Sequence, residues 1–279
     1  MLGGDSLSMR GDAVIYLCRK GDPAVAHTAF FKSLAANPFG IDADLVVVLK
    51  GFEPQETPQS LTEFRKSAAF RIDEVRVKDE GSWAINAFFE AARQAPHDRL
   101  LFLTSHSRIR AKNWLRFYSE AFERVPNCGV AGASGSYEAV TGVSFPNINI
   151  RTNAFMIARQ VFNQLDTGSL ATKRGGYEFE AGPNSLTRQL ERRGLQPVVV
   201  DRIGNSWQSE DWPESNTFRS GLQQGLLVAD NRTHDFDIAS NGKRRRLAKL
   251  AFGDRARVTD VSLMRRLQAK WQWRLSMMA

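Results

Sequence analysis

The strongest constraint on this chain is an alternation of short apolar runs rich in strand formers with longer segments whose apolar residues recur at helical spacing. "AVIYL" (13–17) gives way to "CRKGDP", where Gly21 and Pro23 break the run, and "AVAHTAFFKSLAAN" then reads as a helix stopping at Asn37-Pro38. "DLVVVLKGF" is a second buried strand. "FRIDEVRV" is a third, with Ile72, Val75 and Val77 in imperfect alternation, reached through a turn-rich segment. "DEGSWAINAFFEAARQAP" offers a turn and a helix ending near Pro96, "LLFLTSHS" a fourth strand and "AKNWLRFYSEAFERV" a further helix. Beyond it, "GVAGASGSY" reads as a strand with a small-residue loop, "IRTNAFMIARQVFNQL" as a strand entering a helix, and "GPNSLTRQLERRGLQPVVVD" as a helix and final strand. This order predicts an α/β fold with a mostly parallel sheet flanked by helices.

Ligands of such sheets bind outside the carboxyl ends of the strands. That directs attention to Arg19 and Lys20, to Lys50 through Glu53, to Asp79 through Gly81, and to Thr104, Ser105, His106 and Ser107. The glycines of "GVAGASGSY" have neither P-loop nor clean dinucleotide-binding spacing.

Composition narrows the class. With 42% hydrophobic and 24% charged residues over 279 positions, the chain can bury a sizeable core, and no apolar run reaches the length of a membrane span. Without a signal-peptide pattern around Gly3, Gly4 and Asp5, a cytoplasmic protein is expected. Cys18 and Cys128 stand far apart outside any metal-ligand spacing and are read as buried thiols. The net charge of +8 is concentrated between Lys243 and Arg274, where basic residues interleave with Leu247, Leu250, Phe252, Leu263, Leu267, Trp271 and Trp273. Such a basic helical tail suits an anionic membrane surface, the inner face of the plasma membrane for a cytoplasmic protein; the other reading packs its apolar stripe on the domain or a sister subunit.

The order of segments resembles the GT-A glycosyltransferases, especially their family 2-like branch, over roughly Ala13 to Asp201. "FPNINIRTNAFMIARQVF", "YEFEAGPNSLTRQ" and "LLVADNRT" are similar to a bacterial, polysaccharide-associated set of such proteins, which extends the likeness to about Thr233. The resemblance implies a GT-A-like domain over 1–240, with a donor half at about 13–110 and an acceptor half at about 111–240, followed by a basic helical extension over 241–279. It implies a nucleotide-sugar donor and, as acceptor, a hydroxyl of a growing surface polysaccharide or lipid-linked glycan, with inversion at the sugar.

Carried over residue by residue, the family's nucleotide-contacting acid falls on Asp79, which equally suits a helix cap. Arg19, Arg151 and Arg188 become candidates for the donor's phosphates. Thr104-Ser105-His106 takes the place of the family's Asp-x-Asp, so the usual oxygen cage for Mg²⁺ or Mn²⁺ is missing. Three readings are open. His106 with Asp230 or His234 holds Mn²⁺; or the enzyme uses no metal and stabilises the leaving diphosphate with cations and hydroxyl donors; or the segment is a polar loop that caps a helix.

The acidic pair before the family's arginine-bearing helix matches Glu178 and Glu180, with Arg188 following. Glu180 is the preferred general base, since a carboxylate must take the acceptor hydroxyl's proton. If that segment is extended, the two glutamates point to opposite faces and one of them meets substrate. Asn153, Asp211 and Trp212 are candidates for the acceptor. Two rival readings remain: a GT-A-like nucleotide-binding or scaffold protein without catalysis, motivated by the missing aspartates, and a nucleic-acid-binding protein, motivated by charge alone. The chain has no helix-turn-helix, zinc or RNP motif, and no nucleic-acid partner is expected.

Overall fold

The computed structural model describes residues 10–78, 84–168, 170 and 172–277. The first half alternates as the sequence predicts: β1 (Arg10–Arg19), α1 (Ala24–Ala36), β2 (Ala43–Lys50), α2 (Gln59–Arg65), β3 (Ile72–Val77), α3 (Ala84–Gln94) and β4 (His97–Leu103). Only α2 lies where a turn-rich segment was expected. It is two turns long and buries just Leu61 and Phe64, too few residues to write a periodicity. The second half adds β5 (Arg108–Ile109), α4 (Trp114–Arg124), β6 (Cys128–Gly132), β7 (Gly135–Ser136), β8 (Asn149–Ile150), β9 (Ala154–Ala158), α5 (Arg159–Asn163), α6 (Lys173–Ala181), α7 (Leu186–Glu191) and β10 (Gln196–Val200). β11 (Ser206–Trp207), a 3₁₀ turn at Ser209–Glu214, β12 (Val228–Ala229), α8 (Asn231–Asp237), α9 (Asn241–Phe252) and α10 (Leu263–Met277) complete it.

Among the described residues eight strands form one sheet in the order β11-β10-β6-β9-β4-β1-β2-β3, and all but β9 and β11 share one direction. Helices cover both faces, which is why "AVIYL" and "LLFL" are apolar at every position rather than at alternate ones. Odd residues of β1 (Ala13, Ile15, Leu17) join Phe88, Phe102 and Phe155 in one core, while Val14, Tyr16 and Cys18 join Phe30, Phe31 and Trp114 in the other. Cys18 is buried and burial pushes its thiol up to about 12, whereas Cys128 is only half-buried. Asp12, Arg99 and Ser119 tie β1, β4 and α4 together: Asp12 accepts from Arg99 Nε at 2.7 Å and from Ser119 Oγ at 2.7 Å.

Two segments differ from expectation. "GGYEFEA" is helical in α6, capped by Thr172, whose hydroxyl accepts from Gly175 N. The cap and the tertiary wall override two helix-poor glycines, so the extended reading of Glu178 and Glu180 does not hold. The basic extension is helical as expected, but its first helix is part of the packed domain. Arg244 is 1% exposed, stacks on Phe236 at 4.0 Å and donates to the carbonyls of Phe236, Gly221 and Thr259.

The small-residue strand matters for packing. A Cβ on Gly135 would lie 2.2 Å from Trp212, whose ring is fully buried beneath it. Gly135→Ala should therefore destabilise the fold by about 1–3 kcal/mol, the typical cost of overpacking, measured as a lowered denaturation midpoint.

Candidate functional site

The cleft originates in a strand register. β9 runs against β4 with Ala154 opposite Leu103, so the residues entering β9 emerge beside those leaving β4. The Thr104 amide accordingly donates to the Asn153 carbonyl at 3.2 Å, and Ser107 Oγ reaches the same oxygen at 3.3 Å. Arg151, Thr152 and Asn153 thus face Thr104 across the join between the two halves of the sheet. α6 supplies Tyr177 and Glu180 as a second wall, and the segment from Phe218 to Arg232 closes the third. The cleft so formed has a volume of about 370 Å³.

Its charges are arranged in pairs. Arg151 Nη2 lies 2.9 Å from Asp230 Oδ2, and Arg219 Nη1 lies 3.0 Å from Glu138 Oε2. Both guanidinium groups also lie over the Phe218 ring, at 4.1 and 4.6 Å from its centroid. That contact holds their planes while their edges remain available for hydrogen bonds. Arg219 has φ 48, a left-handed conformation that non-glycine residues rarely adopt, and its amide donates to Gln223 Oε1 at 3.0 Å. Glu180 accepts a short hydrogen bond from the Thr152 hydroxyl, which fixes the orientation of its carboxylate in the cleft. Arg232 stands at the mouth with no ion-pair partner among the described residues. Carboxylates, amides, a hydroxyl and guanidinium groups around one concavity are what a polyhydroxylated ligand needs, since each sugar hydroxyl both donates and accepts.

Thr104, Arg151, Asn153, Glu180 and Asp230 are therefore brought together around one cleft. Other candidates lie elsewhere. Glu178 points away from the cleft, exposed and paired with Arg174 at 2.9 Å one helical turn back. Arg188 stands behind the wall, 3.4 Å from Asn147 Oδ1, and Asn147 in turn donates to the Ala181 carbonyl at 2.8 Å. Ser105 is buried, and its carbonyl accepts from the Tyr16 hydroxyl at 3.2 Å. Arg19 lies at the end of β1, where its carbonyl is held by His27 Nε2 at 3.0 Å. Trp212 does not line the cleft: it is a core residue whose indole N–H donates to the Trp207 carbonyl at 3.1 Å, with Asp211 exposed beside it. Asp79 lies outside the described residues. Glu138, Tyr177, Phe218, Arg219 and Arg232 line the cleft without having been singled out: Glu138, Phe218 and Arg219 sit in irregular stretches that no periodicity marks, while Tyr177 and Arg232 lie within the segments "YEFEAGPNSLTRQ" and "LLVADNRT" but were passed over there.

The residues named for a metal line no common cavity. Asp230 is buried, capping α8 through the Thr233 amide at 2.8 Å while paired with Arg151. His234 is stacked on Trp273 at 4.4 Å and lines a different cavity, and His106 lines neither. Among the described residues no group of three or more His, Cys, Asp or Glu side chains converges on a common point.

No protein-family model and no curated protein matches the chain. Among solved structures it is similar to TarS of S. aureus at 15% identity and a TM-score of 0.38, over 56% of this chain and 30% of that one. An active-site mutant of LgtC matches at 11% identity and a TM-score of 0.40, over 55% of this chain and 60% of that one. The bifunctional glycosyltransferase WbbM matches at 14% identity and a TM-score of 0.36, over 56% and 34%. The chain thus spans less than two thirds of the length of each of these structures.

The buried ion pair has a measurable consequence. Burial alone raises the Asp230 carboxyl, but Arg151 and the Thr233 hydrogen bonds outweigh it and hold it below the ordinary aspartate value. A depressed carboxyl contributes stability that is present above the unfolded value of about 4 and is lost as pH falls through the folded one. Arg151→Met should cost about 3 kcal/mol at neutral pH, by leaving a buried charge unpaired, and should shift the acid-unfolding midpoint to higher pH.

Proposed function

We propose that this protein transfers a sugar from a nucleotide-sugar donor to a hydroxyl of a glycan. The observation that carries this reading is the position of Glu180: a carboxylate oriented by Thr152, in the same cleft as Thr104 at the end of β4. It agrees with the strand order and with the resemblance to GT-A glycosyltransferases in the sequence. In this mechanism Glu180 takes the proton of the acceptor hydroxyl as that oxygen attacks the anomeric carbon, and the bond to the diphosphate breaks on the opposite face. Asn153 and Arg232 contact the sugars and the leaving group, with guanidinium and hydroxyl donors in place of a metal clasp. The acceptor is a surface polysaccharide or lipid-linked glycan, and the product has inverted stereochemistry.

The work site proposed for the enzyme is the cytoplasmic face of an anionic membrane. No described helix is long and apolar enough to cross a bilayer. α10 nevertheless leaves Leu263, Met264, Leu267, Trp271 and Leu275 exposed, interleaved with Arg265, Arg266, Lys270 and Arg274. Replacing Leu267 and Trp271 by Asp should abolish co-sedimentation with phosphatidylglycerol vesicles and leave the fold intact; undiminished sedimentation would exclude this face as the anchor.

Glu180→Gln should lower transfer at least about 100-fold while leaving nucleotide binding unchanged, as expected for loss of a general base. The second reading, a GT-A-like binding protein without catalysis, is favoured by Thr104 and His106 standing where the family's two aspartates would be. Nucleotide binding by the wild type with no transfer or donor hydrolysis would establish that reading instead.

A further inference from the structure

The turn that carries Thr104 to the cleft is held by a buried pair from β1 and α1. Ser105 and His106 form the turn, and the Ser107 amide closes it by donating to the Thr104 carbonyl at 3.0 Å. The Ser105 carbonyl lies 3.2 Å from the Tyr16 hydroxyl. That hydroxyl is also 2.9 Å from His27 Nδ1, and His27 Nε2 is 3.0 Å from the Arg19 carbonyl. Both side chains are buried, and the Tyr16 ring is stacked on Phe30. A hydrogen-bonded chain thus runs from the end of β1 through α1 to the turn after β4.

Both ends of this chain are carbonyl oxygens, which only accept, so its three contacts need three hydrogens. A neutral imidazole brings one N–H and the phenol one O–H, which leaves the chain a hydrogen short. With the imidazole hydrogen on Nε2, the Arg19 carbonyl is satisfied, and the Tyr16 hydrogen is divided between His27 Nδ1 and the Ser105 carbonyl. With it on Nδ1, Ser105 is satisfied, and Nε2 meets the Arg19 oxygen with lone pair against lone pair. The imidazolium supplies the missing hydrogen, and each contact then has its own donor. The phenol keeps its proton throughout, since burial pushes Tyr16 well above the ordinary tyrosine value.

Burial holds His27 below the ordinary histidine value; His106 and Arg108, beyond β4, push the same way, against the Arg19 carbonyl and Asp22. Burial also keeps Cys18, on the same strand, a neutral thiol. Lys20, Lys32, Glu56 and Glu63 line, together with His27, a cavity of about 700 Å³ between α1 and α2. The hydrogen-deficient form is therefore the one present at neutral pH, and proton uptake falls below about 6.5. We infer that Tyr16 and His27 are positioning residues whose grip on the Ser105 turn, and through it on Thr104, tightens when His27 takes up a proton. The consequence for transfer rests on the function proposed for the cleft; the hydrogen count does not.

Ser105-His106 is the only Ser-His step in the sequence, so labelling serine carbonyl carbons with ¹³C and histidine nitrogens with ¹⁵N isolates this peptide bond by NMR of the full chain. As pH falls, the His27 ring nitrogens should titrate with a midpoint below that of an exposed histidine, and the Ser105 carbonyl shift should move with the same midpoint. Tyr16→Phe, and His27→Gln as a second variant should the first unsettle the core, are each expected to abolish that movement. His106 serves as the internal reference, because its own effect on the neighbouring carbonyl persists in both variants. In transfer assays the pH dependence of the donor KM at the His27 midpoint should be lost in His27→Gln. The NMR readouts need no turnover, so a chain that transfers no sugar leaves them standing. Absence of His27 protonation above the pH of acid unfolding, a Ser105 signal that does not follow His27, or one that still follows it in Tyr16→Phe would overturn the inference.

Discussion

Everything in the cleft depends on one reversed strand. β9 lies antiparallel between β4 and β6 in a sheet otherwise nearly parallel there, and the pairing of Ala154 with Leu103 sets its register. Had β9 run parallel, its leading residues would emerge at the far edge of the sheet. Because it is reversed, Arg151 to Asn153 arrive where β4 delivers Thr104. A slip of one residue would also turn Phe155 and Ile157 from one core to the other, so burial on both faces pins the register.

The polar groups around that join are held by buried interactions rather than by the cleft's own surface. Asp230 anchors α8 and Arg151 together, Gln223 ties the Arg219 turn to α8 through the Thr233 carbonyl at 2.9 Å, and Phe218 supports two guanidinium planes. Thr152 orients Glu180 from the opposite wall. Such support leaves few rotamers open before a ligand arrives, which lowers the ordering cost of binding.

Much of this was legible in sequence, and the limits have physical causes. The runs at Ala13, Asp44 and Leu100 announced strands because burial on both faces demands apolar residues at every position, and α1, α3 and α4 announced themselves through their spacing. α2 and α6 did not, since one is too short for a pattern and the other contains Gly175 and Gly176. Among the residues that line the cleft, Glu180, Arg151 and Asn153 were singled out because they sit near recognisable segments. Arg219 and Glu138 were not, for their pairing spans eighty-one positions and has no local signature. Trp212 shows the converse: a tryptophan in a turn-rich stretch looks like a sugar platform until the glycine beneath it, Gly135, is seen to make room for its ring.

The sequence by itself determined the class of fold, through periodicities that the backbone must obey whatever the final packing. It also determined that a carboxylate would be present near the end of the acidic segment and that the C-terminal helices would be basic. Which carboxylate faces the cleft was decided by the helical turn of α6, which sends Glu178 to Arg174 and Glu180 to Thr152. Tertiary structure likewise decided that Asp230 would be bound to Arg151 and that Arg108 would lie buried. Those outcomes depend on distances between residues far apart in the chain, and only the closed sheet and its packed helices set such distances.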